Sequence, residues 1–125
     1  MTENDIATQI VDAAYKIHTT LGPGLLESVY QKVMVHELRK RGFEVVEEQP
    51  IPVVYEGVHL EVGFRADLIV GGLVIVELKS VETIAPVHKK QLLTYLRLAD
   101  KRLGLLINFN VELIKNGISR VANGL

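Results

Sequence analysis

An α/β fold, a mixed sheet covered by helices, is predicted from three features of the chain. Two stretches with apolar residues at helical spacing open it, a run of short β-branched segments fills its middle, and a strand, a helix and a strand follow in that order. The last feature makes a crossover unit, so its two strands should lie parallel.

Ile6, Ile10, Ala13, Ala14, Ile17 and Leu21 recur at helical spacing, so roughly residues 4–20 form an amphipathic helix that Gly22-Pro23-Gly24 stops. A second helix runs from about Leu25 to Arg41, with Leu26, Val29, Tyr30, Val33, Met34 and Leu38 turned inward and Gly42 placed to cap it. Phe43 to Glu48, Ile51 to Tyr55 and Val58 to Val62 are strand-like, with a turn at Glu56-Gly57. Pro50 and Pro52 confine their neighbourhood to an edge or a bend. Two further strands, Phe64 to Val70 and Leu73 to Lys79, are joined by Gly71-Gly72. Pro86 precedes a third helix, about Val87 to Asp100, whose buried stripe is Leu92, Tyr95, Leu96 and Ala99, and Leu103 to Phe109 forms the final buried strand. The tail from Val111 to Leu125 carries no decisive pattern.

With 125 residues, 48% hydrophobic and 23% charged, the chain suits one domain spanning residues 1–125. No run approaches the roughly 20 apolar residues of a membrane helix, and the polar start lacks the regions of a signal peptide. A cytoplasmic protein without membrane contact is therefore expected. Cysteine is absent, and His18, His36, His59 and His88 have no ligand-like spacing, so neither disulfides nor structural zinc are expected. The net charge of −1 argues against coating nucleic acid by bulk electrostatics, so any such contact must be local.

Asp67, Glu77 and Lys79 interrupt what is otherwise buried sheet. A strict two-residue turn at Gly71-Gly72 would put the two carboxylates on opposite faces. A three-residue bulged connection instead pairs Val70 with Val74, Asp67 with Glu77 and Arg65 with Lys79. The four charges then share one face, and Phe64, Ala66, Leu68 and Val70 against Val74, Val76 and Leu78 make the other face apolar, so burial favours this register. Two facing carboxylates repel, and desolvation aggravates it. A divalent cation held by Asp67, Glu77 and the Leu78 carbonyl would relieve both costs, with Lys79 beside it. A neutralised ion-pair cluster of Arg65, Asp67, Glu77 and Lys79 accounts for the same spacing.

Asp67 followed by Glu77-Leu78-Lys79 resembles the signature of the PD-(D/E)XK nuclease superfamily, with Ala66 where proline commonly stands. Gly24-Leu25-Leu26-Glu27-Ser28-Val29-Tyr30 matches the motif of the small prokaryotic GxxExxY proteins within it, over nearly the whole chain. Gln91-Leu92-Leu93-Thr94-Tyr95 is similar to the QxxxY element of RecB-like nucleases. The resemblance implies a restriction-endonuclease-like core, α-β-β-β-α-β, with a central mixed sheet flanked by helices and an extra N-terminal helix.

The resemblance also implies roles. Asp67, Glu77, Lys79 and Gln91 would be catalytic. Glu27, Asp67, Glu77 and the Leu78 carbonyl would hold Mg²⁺, with Mn²⁺ as a substitute. Arg65, Lys89, Lys90 and Tyr95 would meet the substrate. A glutamate in the first turn of a helix is stabilised by the helix dipole in any protein, Gly24 suits a turn into a helix, and Tyr30 suits an apolar stripe. Lys89 and Lys90 open a helix where cations oppose the dipole, a cost that a phosphate backbone would offset. The implied activity is phosphodiester hydrolysis of DNA rather than RNA, with a homodimer or a larger nucleic-acid-processing complex supplying target choice. The alternatives are a silent nuclease-fold scaffold, or a subunit active only within a DNA repair or defence complex.

Overall fold

A computed structural model describes residues 1–61 and 63–125. Helix α1, Glu3–Leu21, starts at a capping box in which the Thr2 hydroxyl accepts from the Asp5 N–H and the Asp5 carboxylate accepts from the Thr2 N–H. Helix α2, Glu27–Lys40, ends as Gly42 N–H donates to the Arg39 carbonyl and Phe43 N–H to the Leu38 carbonyl, so the expected cap is present as a Schellman pair. Strands β1, Val45–Pro50, β4, Arg65–Val70, β5, Val74–Lys79, β6, Leu103–Asn108, and β7, Ile118–Ala122, form one sheet in the order β1-β4-β5-β6-β7. Helix α3, Pro86–Ala99, crosses between β5 and β6, which pair parallel as the crossover rule requires. The tail resolves into a short 3₁₀ turn, Ile114–Gly117, and the edge strand β7, antiparallel to β6.

Among the described residues, strands β2, Val53–Tyr55, and β3, Val58–Leu60, pair only with each other, in a hairpin outside the main sheet. The expected strand Val58 to Val62 is thus observed to Leu60, and Val62 lies outside the described residues. Despite this excursion, β1 and β4 pair in one register, from Val45↔Val70 to Pro50↔Arg65. Pro50, lacking an N–H, sits at the end of an edge strand, where the missing donor costs no ladder bond on the solvent side.

The sheet is covered on both sides. Helices α1 and α2 pack on one face, where Ile10, Ala13, Tyr30, Met34 and Leu38 meet Leu68, Val70, Val74, Val76 and Leu78. Helix α3 packs on the other, where Leu92 and Leu96 meet Ile69, Ile75 and Leu106. Phe64 and Ala66 belong to this second cluster, which corrects the expectation that they continue the Leu68 and Val70 face. Alternation breaks at Asp67, opposite Glu48, whose φ of 50° interrupts β1 at the same level.

Val70 pairs with Val74, so the connection through Gly71, Gly72 and Leu73 has the predicted three-residue register. Gly71 is at φ 60° and its missing Cβ would lie 2.9 Å from Ile6 Cδ1 of α1, so the turn both needs glycine and docks on the first helix. Leu26 and Val29, expected inside, are 74% and 39% exposed, because α2 begins only at Glu27 and its first turn overhangs the sheet end.

A polar cluster that the apolar pattern does not show joins α1 to α2. Glu37, 7% exposed, accepts from Lys16 Nζ at 3.0 Å and from Arg41 Nε at 3.1 Å, while Arg41 also meets Asp12 at 2.7 Å. The Lys16 hydrogen bond, then that of Arg41, holds the Glu37 carboxyl below its ordinary value against the opposing effect of burial. Its stabilisation is therefore present above the ordinary carboxylate range and is lost as pH falls through the lowered value. Glu37→Gln should destabilise the protein by about 1–2 kcal/mol at neutral pH, the half-exposed Lys16 limiting the effect. Thermal melts should show the gap to wild type closing below about pH 4.

Candidate active site

Strands β4 and β5 pair from Val70↔Val74 to Leu68↔Val76, and there the ladder stops. One position further on, the strands splay and two carboxylates fill the gap. Glu77 Oε1 accepts from the Asp67 N–H at 3.3 Å, and Asp67 Oδ2 accepts from the Leu78 N–H at 2.8 Å. Each acid thus satisfies a backbone donor that the broken ladder would leave orphaned. The expected facing of Asp67 and Glu77 is realised through these side-chain bonds, whereas a ladder pairing of Arg65 with Lys79 does not form, because the β4–β5 ladder has already ended at Leu68↔Val76.

The backbone takes one oxygen of each acid, and the two carboxyls also lie within hydrogen-bonding reach of one another. Glu77 is 7% exposed. Burial, then the charge of Asp67 and the hydrogen bonding between the two side chains, pushes its carboxyl up to about 9. Asp67 is also raised, chiefly by burial, with the Leu78 N–H opposing. Two carboxyls sharing a desolvated gap favour holding a proton over carrying two charges.

The remaining expected residues fall into three groups. Lys79 lies near enough for its charge to favour ionisation of both acids, yet forms no ion pair with either. Tyr95 stacks at a tilt on Phe64, centroids 5.0 Å apart, and its hydroxyl is harder to ionise because of burial and the charges of Glu77 and Asp67. Arg65, Phe64, Tyr95, Pro50, Glu61 and Gly63 line a recess of about 640 Å³ beside Asp67. Gln91 is exposed one helical turn before Tyr95. Lys89 and Lys90 line a different recess, with Asn108, Asn116 and Ser119, at the start of α3.

Glu27 is exposed at the first position of α2, beside Ser28, Ser80 and Asn110, and has no hydrogen bond or ion pair among the described residues. No three of His, Cys, Asp and Glu gather to hold a metal among the described residues, so Glu27 does not join the acid pair. It belongs to the helical layer on the opposite face from α3 and comes to the end of β5 from that side. Its motif neighbours are structural. Gly24 is at φ 97°, and Tyr30, fully buried, stacks on Phe109 at 4.3 Å and donates its hydroxyl to the Gly22 carbonyl at 2.6 Å.

Two positioning residues were not singled out from the sequence. Asn108, 2% exposed and level with Lys79 across the β5–β6 ladder, accepts from Val81 N–H and donates to the Val81 carbonyl, fixing the chain just beyond the acid strand. Its signal was a lone amide ending the apolar run Leu103 to Phe109. Ser80, next to Lys79, donates to the Leu25 carbonyl at 2.6 Å. Nothing in its sequence neighbourhood marks it.

A family model described as the PD-(D/E)XK nuclease superfamily matches residues 4–121. The chain belongs to that superfamily. Searches of curated proteins and of solved structures give no match. The membership agrees with the element order and with the mixed sheet flanked by helices. No helix of the described residues is long and apolar enough to cross a membrane.

A raised carboxyl contributes stability that is full below its unfolded value and is lost as pH rises toward the folded one. In the metal-free PD-(D/E)XK protein, stability should therefore fall between about pH 5 and pH 9. Glu77→Gln, neutral throughout, should melt higher than wild type in the presence of a chelator, by an amount that grows with pH and reaches the order of a few kcal/mol near pH 8.

Proposed function

We propose that the protein is a Mg²⁺-dependent nuclease that hydrolyses phosphodiester bonds of DNA. The observation that carries this reading is the pair of carboxylates brought together in the β4–β5 gap, each with one oxygen tied to the backbone. Such a pair fits a hard divalent cation, which prefers oxygen ligands and keeps several waters. Asp67, Glu77 and the Leu78 carbonyl would hold Mg²⁺, or Mn²⁺ in its place. When bound, that ion supplies Lewis acidity and a water of lowered pKa.

The chain's own groups account for the rest. The Lys79 ammonium orients the attacking water or offsets charge developing on the phosphate. Gln91 donates to the same phosphate or water from α3, and Tyr95 walls the recess that also holds Arg65. Lys89 and Lys90 meet the backbone further along the strand, at the start of the same helix. Glu27 acts from the end of β5, through water. Hydrolysis breaks the bond between phosphorus and the leaving oxygen as the water oxygen bonds to phosphorus; the attacking water gives up a proton to solvent, and a solvent proton completes the leaving hydroxyl.

A second reading draws on the net charge of −1: a nuclease-fold module that acts without turnover, or only inside a cytoplasmic homodimer or larger complex that supplies the missing cationic surface. Incubation with linear, nicked and single-stranded DNA and with RNA, in Mg²⁺ or Mn²⁺, separates the two. The nuclease reading expects DNA cleavage that a chelator abolishes, that Asp67→Ala lowers roughly a hundredfold or more, and that Lys79→Ala lowers by a similar factor. Metal binding without cleavage would favour the second reading. A wild type that binds no divalent metal at millimolar concentration would overturn the first.

A further inference from the structure

The segment before α2 is held in an unusual way. Its apolar side chains do not anchor it, since Leu26 is 74% and Leu25 is 38% exposed, and its N-cap, Leu26, offers no side-chain acceptor. What fixes it is one peptide position pinned from two directions. The Leu25 N–H donates to the Tyr30 hydroxyl at 3.2 Å, and the Leu25 carbonyl accepts from the Ser80 hydroxyl at 2.6 Å. The first pin comes from α2 itself. The second comes from the residue that follows Lys79, and is the one hydrogen bond among the described residues that joins this segment to the strand bearing Glu77 and Lys79.

Glu27 lies two residues beyond the pinned position and opens into the recess that Ser80 and Asn110 also line. Its own carboxylate is untethered, so its place relative to Glu77 and Lys79 depends on the backbone that carries it. We propose that Ser80 is a positioning residue that latches the start of α2 to the end of β5 and thereby sets how far Glu27 stands from the Asp67 and Glu77 pair, toward which it acts through water. The inference rests on the metal-dependent reading above. It adds a residue that touches neither metal nor substrate, and it gives Tyr30 and Ser80 complementary tasks: one shapes the loop, the other fixes it to the site.

The test uses the full chain and Mn²⁺ as probe, with affinity read by calorimetry and cleavage of linear DNA read alongside. Ser80→Ala should weaken Mn²⁺ binding roughly tenfold, and Ser80→Thr, which keeps the hydroxyl, should restore it. In a Glu27→Gln background the Ser80→Ala change should add little, because the two act through one link. Melts in chelator establish that each variant is folded. The inference is overturned if Ser80→Ala binds Mn²⁺ as wild type does, or weakens it equally with and without Glu27, while wild-type binding keeps the metal reading intact. Absence of wild-type Mn²⁺ binding overturns both.

Discussion

The break in the β4–β5 ladder is the constraint on which the rest of the molecule depends. A sheet buried on both faces cannot stop pairing in its middle without leaving polar backbone in a dry place. Here the two strands part after Leu68↔Val76, and the donors released at Asp67 and Leu78 are taken by Glu77 and Asp67. The acids serve the fold and form the candidate site through the same two side chains. Gly71 docked on Ile6, the two helical layers and the parallel β6 all hold the strands in the register that keeps this exchange possible.

The same gap carries opposed requirements. Burial makes the two carboxylates costly as ions, and their closeness raises the cost further. That destabilisation is local and is offset by packing elsewhere, from the α1 and α2 core and from Leu92 and Leu96 on the opposite face. Electrostatic strain of this kind is a common mark of functional sites, where stability is given up for affinity toward a charged ligand.

Much of this was legible before the structure. Hydrophobic periodicity located the helices, and the choice between a two- and a three-residue turn at Gly71-Gly72 could be decided by burial alone, because a one-residue slip would turn a whole strand over. What periodicity could not show is where alternation itself fails. Phe64 and Ala66 leave the expected face because alternation breaks at Asp67, opposite the positive-φ Glu48 that interrupts β1. Leu26 and Val29 satisfy a helical stripe yet project beyond the sheet end, since a repeat pattern says nothing of how far the partner surface extends. Glu27 matches its motif, but the distance between a helix start and a strand end is set by tertiary packing, through residues as plain in sequence as Ser80.

The β2–β3 hairpin leaves the main sheet after β1 and returns before β4, yet the pairing of those two strands keeps one register across the excursion. The excursion is therefore decoupled from the geometry around Asp67. Lengthening such a loop costs little, roughly 0.6 kcal/mol for each doubling. The chain thus has a place beside its candidate site where segments could be exchanged over evolution and new recognition surfaces added, with the placement of the acids undisturbed.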